Sequence, residues 1–374
     1  MIEEIQAKSI LRRHKKIDSW FLSRYGMNLY RGCTHDCVYC DGRAEGYYVE
    51  GEFGKDISVK VNAPDILKRE LDPKGKRVPL KRGFIILGGG VGDSYQPIEK
   101  KYQLSRKALE LLLEYGFPVH ILTKSALVER DLDIIKEINL KSKAIMSFSF
   151  SSADEKISSI FEPNVPSPAD RLKTISLFKK EGIKCGMFLL PVIPFVTDKP
   201  GMMEETIKKA KETGVDFIIF GGLTLKEGRQ KEYFISVLKK QYPELIPEYN
   251  NIYKGNEWGM AAQEYYKSMN MQFNVIAKKY KMPVRIPAGI LKDIIGENDL
   301  TVIILEHIDY FLKIEGKSSP FGYAAYSISQ LKEPLSSIKG ELKKIKGVGE
   351  STEKIILEIL KTRTSSYYEK LAQR

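Results

Sequence analysis

The sequence has few cysteines and no long hydrophobic run, and both absences narrow the class of protein. No stretch of about eighteen apolar residues occurs, and residues 1–25 contain neither a long apolar segment nor a small-residue cleavage site. Four cysteines do not make a disulfide framework for a chain of 374 residues. We therefore expect a cytoplasmic protein that binds no membrane and uses its thiols for a metal or a metal cluster.

The sequence also lacks low-complexity tracts and the internal repeats that mark a solenoid. Its 43% hydrophobic and 29% charged residues are typical of a folded globular protein. The length fits one large α/β barrel plus a small module. A net charge of +12 suggests a polyanionic partner, although many basic proteins bind no nucleic acid.

Short apolar runs alternate with amphipathic helical patterns through the first two thirds of the chain. Strands that are apolar on both faces and alternate with helices predict a parallel sheet with βαβ crossovers. Six such units fit an incomplete barrel or a doubly wound sheet, and either places the active site at the carboxyl ends of the strands. The six runs are residues 27–32, 83–90, 117–125, 144–150, 184–194 and 216–223.

The strand pattern fades after about residue 225, and the chain is predicted to be helical from Asn298 onward. Residues 282–289 form one more short run that is expected to be extended. We therefore predict a catalytic domain over residues 1–294 and a small all-α domain over residues 295–374.

Three of the four cysteines fall within the stretch RGCTHDCVYCDG. Cys33, Cys37 and Cys40 have C-x3-C-x2-C spacing on the loop that leaves the first predicted strand. Thiolates bind zinc and iron–sulfur clusters, and these residue types alone allow either. A structural zinc site needs a fourth ligand, which could only be His35 or the distant Cys185. A four-iron cluster on three cysteines instead leaves one iron open to a substrate or cofactor.

This spacing after the first strand of a βα protein resembles the radical S-adenosylmethionine (SAM) superfamily. The resemblance implies a partial (β/α)6 barrel and a [4Fe–4S] cluster on the three cysteines. SAM would chelate the open iron and be cleaved to a 5′-deoxyadenosyl radical. Tyr39 fits the family's aromatic position near the adenine. The run Gly88, Gly89 and Gly90 resembles the motif that meets the amino group of SAM, with Gly90 in place of the usual acidic residue.

Longer stretches resemble the spore-photoproduct-lyase-like branch, often labelled DNA repair photolyase, over roughly residues 5–290. They include NLYRGCTHDCVYCDGR, GDSYQPIEKKYQLSRKALELL, HILTKSALVERDLDII, FEPNVPSPADRLKTISLFKKEGI and LPVIPFVTD. The resemblance assigns Lys124 and Ser125 to the carboxylate and ribose of SAM. It places Asp93, Ser94 and Ser149 at polar cofactor or substrate contacts.

Some of these residues also have ordinary structural roles. Asp93 and Ser94 equally fit a turn or a helix cap after the glycines. Arg171, which opens a helix, is expected to pair with Glu162 or Asp170 and to serve the fold.

The chain departs from spore photoproduct lyases at two positions. Those enzymes carry a hydrogen-donating cysteine in the loop after the second strand and a tyrosine directly after the third cluster cysteine. Here that loop reads GGGVGDSYQP, and Asp41 follows Cys40. Cys185, on the fifth predicted strand, and Tyr39 are the remaining candidates for a radical role, although a buried apolar cysteine is usually inert.

The stretch LKKIKGVGESTEKIILEILKT, residues 342–362, predicts a helix–hairpin–helix. A tight turn through Gly347, Val348 and Gly349 would expose backbone N–H groups near Ser351 and Thr352 to a phosphate. Such contacts are independent of base sequence. A glycine turn that serves packing alone is the alternative.

Residues 298–360 resemble the small N-terminal helical domain of X-family DNA polymerases. In the polymerase-beta branch that domain carries a Schiff-base lysine, whose position here is Ile355, with Lys354 one residue away on another helix face. The resemblance therefore implies DNA docking without that lyase chemistry.

Together these patterns predict a radical SAM enzyme that repairs a photoproduct-type DNA lesion, with a low-potential electron donor such as a ferredoxin or flavodoxin. We expect a monomer. Two alternatives stay open: an enzyme of the same class that modifies RNA, and a cluster-bearing nucleic-acid-binding protein without turnover.

Overall fold

The computed structural model describes residues 1–47, 51–75 and 78–373. Its strands fall mainly in the first 222 residues, and the remainder is helical. The strands are β1 (Ile2–Ile5), β2 (Leu11–Arg13), β3 (Ser23–Met27), β4 (Tyr30–Arg31), β5 (Ile57–Lys60), β6 (Phe84–Leu87), β7 (Val119–Thr123), β8 (Ala144–Phe150), β9 (Lys184–Val192) and β10 (Phe217–Gly222).

Helices follow most of the strands. The α-helices are α1 (Ala63–Leu71), α2 (Glu99–Tyr102), α3 (Leu104–Glu114), α4 (Leu132–Lys141), α5 (Glu155–Phe161), α6 (Pro168–Lys180), α7 (Pro200–Glu212), α8 (Arg229–Gln241), α9 (Ile246–Ile252), α10 (Gln263–Lys279), α11 (Glu297–Ile314), α12 (Phe321–Ser329), α13 (Glu350–Thr362) and α14 (Ser366–Ala372). Short 3₁₀ helices cover Asp41–Arg43, Ala126–Asp131, Pro243–Leu245, Ala288–Leu291 and Leu335–Lys344. In the described ranges no helix has the length and apolar character needed to span a bilayer.

The main sheet has seven strands in the order β10-β9-β8-β7-β6-β3-β2. Its six strands from β3 to β10 are parallel, and β2 adds an antiparallel edge. These strands follow chain order without the reversal that defines a doubly wound sheet. The α/β class with a mostly parallel sheet is thus confirmed, and the strand order is that of an incomplete barrel.

The first strand lies earlier in the chain than its predicted position. The predicted run 27–32 begins at the last residue of β3 and ends beyond β4, which belongs to a separate three-stranded sheet in the order β1-β5-β4. Arg24 interrupts the apolar pattern of β3, so the sequence gives little sign of a buried strand there. The run 282–289 is not a strand, although the carbonyl of Pro283 accepts a hydrogen bond from Ile218 N in β10.

The outward face of the sheet is covered by α1, α3, α4, α6, α7 and α10, which are the crossover helices and one later helix. Strand residues such as Ile121 and Phe148 share one buried core with Leu109, Ile135 and Phe178 of these helices. This layer explains why the central strands are apolar on both faces.

The inward face of the sheet packs against the C-terminal helices. Phe188 of β9 stacks on the partly buried Phe21 at 5.4 Å and lies in one buried cluster with residues of α11, α12, α13 and α14. An ion pair between Arg24 of β3 and Asp299 of α11 adds a polar contact between the sheet and the C-terminal helices. The predicted boundary between residues 294 and 295 falls inside this shared core.

The C-terminal region follows the predicted breaks, with turns between α11 and α12 and before α13. Its segment Leu335–Lys344 is a 3₁₀ helix with non-helical backbone at Ile338, where φ is −120°. Gly347, with φ of +84°, turns the chain into α13. An added Cβ at Gly347 would lie 2.7 Å from Tyr323 Cδ1, so the turn needs glycine both for its backbone and for its close packing.

Candidate active site

The three clustered cysteines lie on the loop between β4 and the 3₁₀ helix Asp41–Arg43. Gly32, with φ of +77°, turns the chain into this loop, and a Cβ there would overlap the carbonyl oxygen of Asp56. Within the loop, Cys40 N donates to the carbonyl of Cys37 at 3.2 Å. Val38 N donates to the carbonyl of Phe161 at 2.9 Å, which joins the loop to the end of α5.

The donor set fits an iron–sulfur cluster. All three cysteines are free thiols. Burial raises the pKa of Cys33 well above its usual range, that of Cys37 to about 12 and that of Cys40 to about 11. Negative charge on Cys37 and Cys40 adds to the rise in the pKa of Cys33, and negative charge on Cys40 adds to that of Cys37. Iron binding would supply the charge that deprotonates them.

A single-ion zinc site fits less well. Across the described part of the chain, no group of three or more His, Cys, Asp or Glu side chains is arranged to hold one metal ion. His35 is buried with its Nδ1 3.4 Å from Asp93 Oδ2, and burial lowers its pKa. Cys185 lies at the other end of the sheet.

Asp93, after the glycine run, ties three segments together. Its carboxylate accepts hydrogen bonds from Thr123 Oγ1 at 2.7 Å and from Lys124 N at 2.8 Å, both at the end of β7. It also accepts one from Tyr95 N in its own turn at 2.8 Å, so the predicted turn role is present together with cross-strand contacts. Ser94 is buried, and its carbonyl accepts a bond from Ser105 Oγ at 2.7 Å.

Lys124 projects from the end of β7 over the ring of Tyr39. Its Nζ lies 5.5 Å from the ring centroid and donates to Ser149 Oγ at 2.9 Å. Ser149 Oγ in turn donates to the carbonyl of Leu190 at 2.9 Å. Ser125 instead caps the following 3₁₀ helix, because its Oγ accepts from Leu127 N at 3.2 Å. The structure thus brings Lys124, Ser149 and Tyr39 together beside the cysteine loop.

Glu162 belongs to the candidate site, although the sequence predicts for it only a structural ion pair with Arg171. It is buried just after α5 and accepts hydrogen bonds from Lys124 Nζ at 3.1 Å, from the Tyr39 hydroxyl and from the guanidinium of Arg171. Burial alone would raise the pKa of Glu162, but the charges of Arg171 and Lys124 outweigh it and hold the pKa well below its usual range. The predicted pair between Arg171 and Glu162 is present. The contact with Tyr39 spans 123 positions, which no local pattern reveals.

The glycine run after β6 lines a cavity of about 710 Å³. Gly88 has φ of +86°, and a Cβ there would overlap the carbonyl oxygen of Leu122. Gly89 is also crowded, by Ile86 at 2.8 Å, whereas a Cβ at Gly90 would meet nothing within 4 Å. The same cavity is lined by Arg12 from the N-terminal segment.

Cys185 is not brought into this site. It is the second residue of β9 and pairs in register with Met146, whereas Ser149 pairs with Phe188 further along the strand. Its side chain is fully buried, its Sγ lies 3.5 Å from the carbonyl of Ile183, and burial raises its pKa. The predicted catalytic role of Cys185 therefore has no support in the structure, because the residue lies at the amino end of the strand.

Asp41, which follows the third cluster cysteine, anchors the loop to the far edge of the sheet. Its Oδ1 accepts hydrogen bonds from Thr224 Oγ1 at 2.7 Å and from Gln230 Nε2 at 2.9 Å. Gln230 is fully buried and also donates to the carbonyl of Tyr39 at 3.1 Å. The cysteine loop is thereby fixed to the segment after β10 and to α8.

The C-terminal turn has both exposed and buried residues among those predicted to bind phosphate. Gly349 and Ser351 are exposed at the start of α13. Val348 and Thr352 are buried, the latter with 1% of its surface exposed, so a phosphate contact there would have to use backbone N–H groups, as the sequence predicts. Thr352 packs into the core because it lies on the helix face that carries Ile356 and Ile359.

Comparison with known proteins gives matches over the barrel. The model of the radical SAM superfamily matches residues 27–207. An uncharacterized protein of Mycobacterium tuberculosis is 30% identical over 235 residues, which cover 62% of this chain and 67% of the relative. An uncharacterized protein of Methanocaldococcus jannaschii is 31% identical over 223 residues, which cover 59% of this chain and 78% of the relative.

Among solved structures, spore photoproduct lyase in complex with a dinucleoside spore photoproduct has a similar fold. The TM-score is 0.53 at 17% identity, over 75% of this chain and 79% of that one. The region that matches the superfamily model contains the three cysteines. Members of the radical SAM superfamily use a [4Fe–4S] cluster and SAM. The chain therefore belongs to the radical SAM superfamily.

Proposed function

We propose that this protein is a radical SAM enzyme that repairs a photoproduct-type lesion in DNA. The observation that carries the proposal is the group formed by Lys124, Ser149 and Tyr39 at the strand ends, next to the three-cysteine loop. The resemblance to the spore-photoproduct-lyase-like branch and the shared fold support the choice of substrate class.

The chain's own residues suit the two cofactors. Cys33, Cys37 and Cys40 would hold a [4Fe–4S] cluster. With both groups bound, one electron from the reduced cluster would cleave SAM and supply the radical chemistry that abstracts hydrogen from a substrate. Lys124 and Arg171 are two cations that share the single carboxylate of Glu162, which leaves positive charge for the carboxylate of SAM.

The remaining residues divide between binding and support. By the family resemblance, the backbone of Gly88 to Gly90 would meet the amino group of SAM, and the ring of Tyr39 would offer a face to the adenine. Asp93 already accepts several hydrogen bonds, so its contribution to SAM would be its charge. Ser125 holds the segment after β7 in place.

A DNA substrate is consistent with the net charge of +12 and with the polymerase-like C-terminal region. A base within a duplex would have to leave the stack to reach the strand ends. The loop after β6 carries no cysteine, and Cys185 is remote from the site. The hydrogen donor must therefore differ from the cysteine of spore photoproduct lyases, which makes Tyr39 the candidate within this site.

The proposal is tested by anaerobic reconstitution with iron and sulfide, followed by dithionite and SAM. We expect 5′-deoxyadenosine from the wild-type protein and from Cys185→Ala, and none from Cys37→Ala. The two variants remove one buried thiol each, so they control for loss of a core cysteine. If the wild-type protein carries an intact cluster and forms no 5′-deoxyadenosine, both enzyme hypotheses are rejected. The remaining hypothesis is a cluster-bearing nucleic-acid-binding protein without turnover.

The substrate is identified by deuterium transfer between labelled SAM and ultraviolet-irradiated DNA, compared with irradiated RNA. We expect exchange with the DNA and repair of the lesion. Transfer to RNA alone would replace the proposal by RNA modification.

A further inference from the structure

We propose that a cationic groove between the N-terminal segment and the C-terminal helices binds the phosphate backbone of DNA. This groove, here called the arm groove, has a volume of about 390 Å³. One wall is the segment 13–17, and the other walls are Lys81, the start of α11 and the end of α12. The inference rests on the proposed function for the choice of DNA, and it adds the surface where DNA would lie.

The arm groove has more positive charge than its carboxylates neutralise. Two of its six cations are paired, Arg24 with Asp299 and Lys16 with Glu306. The other four form no ion pair or hydrogen bond through their side chains in the described ranges, and all are exposed. These four are Arg13, Lys15, Lys81 and Lys332. One further carboxylate lines the groove, that of Glu297, which accepts a hydrogen bond from Ser336 N at 2.6 Å.

The unpaired cations of the arm groove come from separate segments of the chain, and this convergence supports a bound ligand. β2 is an edge strand, and charged side chains on an edge strand discourage pairing with another chain. That role accounts for Arg13, the last residue of β2. It does not account for Lys15, which lies beyond β2, or for Lys81 and Lys332, which approach the same groove from the segment before β6 and from the segment after α12. Like charges gathered in one concave surface repel one another unless a polyanion binds there.

The arm groove lies beside the cavity at the glycine run. Arg12, His14 and Asp18 of the N-terminal segment line that 710 Å³ cavity, whereas Arg13, Lys15 and Lys16 line the arm groove. Only the width of the N-terminal segment therefore separates the two spaces. A DNA strand held in the arm groove would pass beside the glycine run that follows β6.

The other end of the arm groove leads toward the C-terminal turn. Leu331 lines both the arm groove and a second groove of about 470 Å³ that reaches Lys344 and Lys346, just before Gly347. The DNA path would thus run from the glycine run, through the arm groove, to the start of α13.

The test compares two triple variants of the full-length protein. Arg13→Gln with Lys15→Gln and Lys81→Gln removes three of the four unpaired charges of the arm groove. Lys173→Gln with Lys180→Gln and Lys267→Gln removes the same number of charges from exposed lysines on α6 and α10 that form no ion pair with the described residues. Binding of a fluorescein-labelled DNA duplex is measured by fluorescence anisotropy over a range of salt concentrations, with thermal unfolding as the check on folding.

We expect the arm-groove variant to lose affinity at least about tenfold, and the slope of log K against log salt to fall in magnitude by roughly 2 to 3. The control variant should bind nearly as wild type. The inference is overturned if wild type does not bind DNA, if the arm-groove variant binds like wild type, if both variants lose affinity equally, or if an RNA duplex of the same sequence binds more tightly.

The readout is separate from catalysis. DNA binding that is weakened only in the arm-groove variant, by a protein that repairs no lesion, would retain this inference and reject the proposed repair function. Formation of 5′-deoxyadenosine without substrate should be the same in both variants, because neither alters the cysteine loop or Lys124.

Discussion

At the scale of single residues, Glu162 determines the charge balance of the candidate site. It is a buried carboxylate between two cations, Lys124 and Arg171, and it also accepts a hydrogen bond from the hydroxyl of Tyr39. Removing one partner from a buried ion pair leaves the remaining charge without compensation. The side chain of Glu162 is therefore needed both for stability and for the position of Lys124 and Tyr39.

We predict that Glu162→Gln lowers the free energy of unfolding by about 3 to 5 kcal/mol, since it leaves the fully buried Arg171 and the partly buried Lys124 without a carboxylate. Glu137→Gln, at an exposed carboxylate of α4 that forms no ion pair with the described residues, should change it by less than about 0.5 kcal/mol. Urea denaturation followed by circular dichroism measures both. Equal stability of the two variants would show that Glu162 is not needed to balance the site.

Site residues that lie on one loop or at strand ends can be predicted from the sequence, whereas a residue whose partners are distant in sequence cannot. The three cysteines lie on one loop, so their spacing alone indicates a cluster. Lys124 and Ser149 could be placed because each ends or nearly ends a strand. Glu162 is different, since its partners Tyr39 and Lys124 lie 123 and 38 positions away, and only the folded sheet brings them together.

At the scale of elements, a buried histidine of α11, His307, joins this C-terminal helix to the segment before β3 of the barrel. His307 Nε2 lies 3.1 Å from the carbonyl of Ser19 and donates to it, whereas the buried His307 Nδ1 has no hydrogen-bond partner among the described residues. Burial lowers the pKa of His307 to about 4. The neutral imidazole is therefore the form that fits between α11 and the segment before β3.

We predict that His307 makes the protein less stable as the pH falls. The unfolded chain takes up a proton near pH 6.5 and the folded chain only near pH 4, so the unfolded state binds more protons between these values. The contribution is full above pH 6.5, and up to about 3 kcal/mol is lost by pH 4. His307→Gln should reduce the pH dependence measured by urea denaturation.

His120, whose pKa is also lowered to about 4 by burial, remains in that variant, so part of the dependence persists. An identical pH profile for wild type and His307→Gln would contradict the assignment.

The elements themselves were predictable where burial is complete. Strands β6 to β10 are apolar on both faces, and each lies within its predicted run or overlaps it. β3 was misplaced because Arg24 lies within it, and the charge of Arg24 is accommodated only by Asp299 of the distant α11. The 3₁₀ form of Leu335–Lys344 was not predicted, since its kink at Ile338 has no local signal.

At the scale of the whole molecule, the barrel and the C-terminal helices share one buried core. Residues 300–305 of α11 are buried without interruption, and the helix lies in a cluster with Phe188 and Phe217 of the sheet. A helix that is buried on all sides has no free face with which to form an independent surface. The sequence run LTVIIL carries this signal, but it does not say which partner covers the helix.

We predict that the intact chain unfolds in one cooperative transition, because α11 would lose most of its apolar contacts if it separated from the sheet. Differential scanning calorimetry, with comparison of calorimetric and van't Hoff enthalpies, measures this. Two separated transitions would instead support independent domains divided at residues 294 and 295.

The hydrogen bonds of Asp41 also limit how this chain can acquire a new reaction. Replacing Asp41 by the tyrosine that spore photoproduct lyases carry at this point would remove the acceptor of the Thr224 hydroxyl and one of the three acceptors around Gln230, a fully buried amide that keeps the carbonyls of Tyr39 and Thr224. The substitution would therefore weaken the attachment of the cysteine loop to the segment after β10 and to α8. An exchange of this residue between the enzymes would have to include the α8 side chains that support the loop.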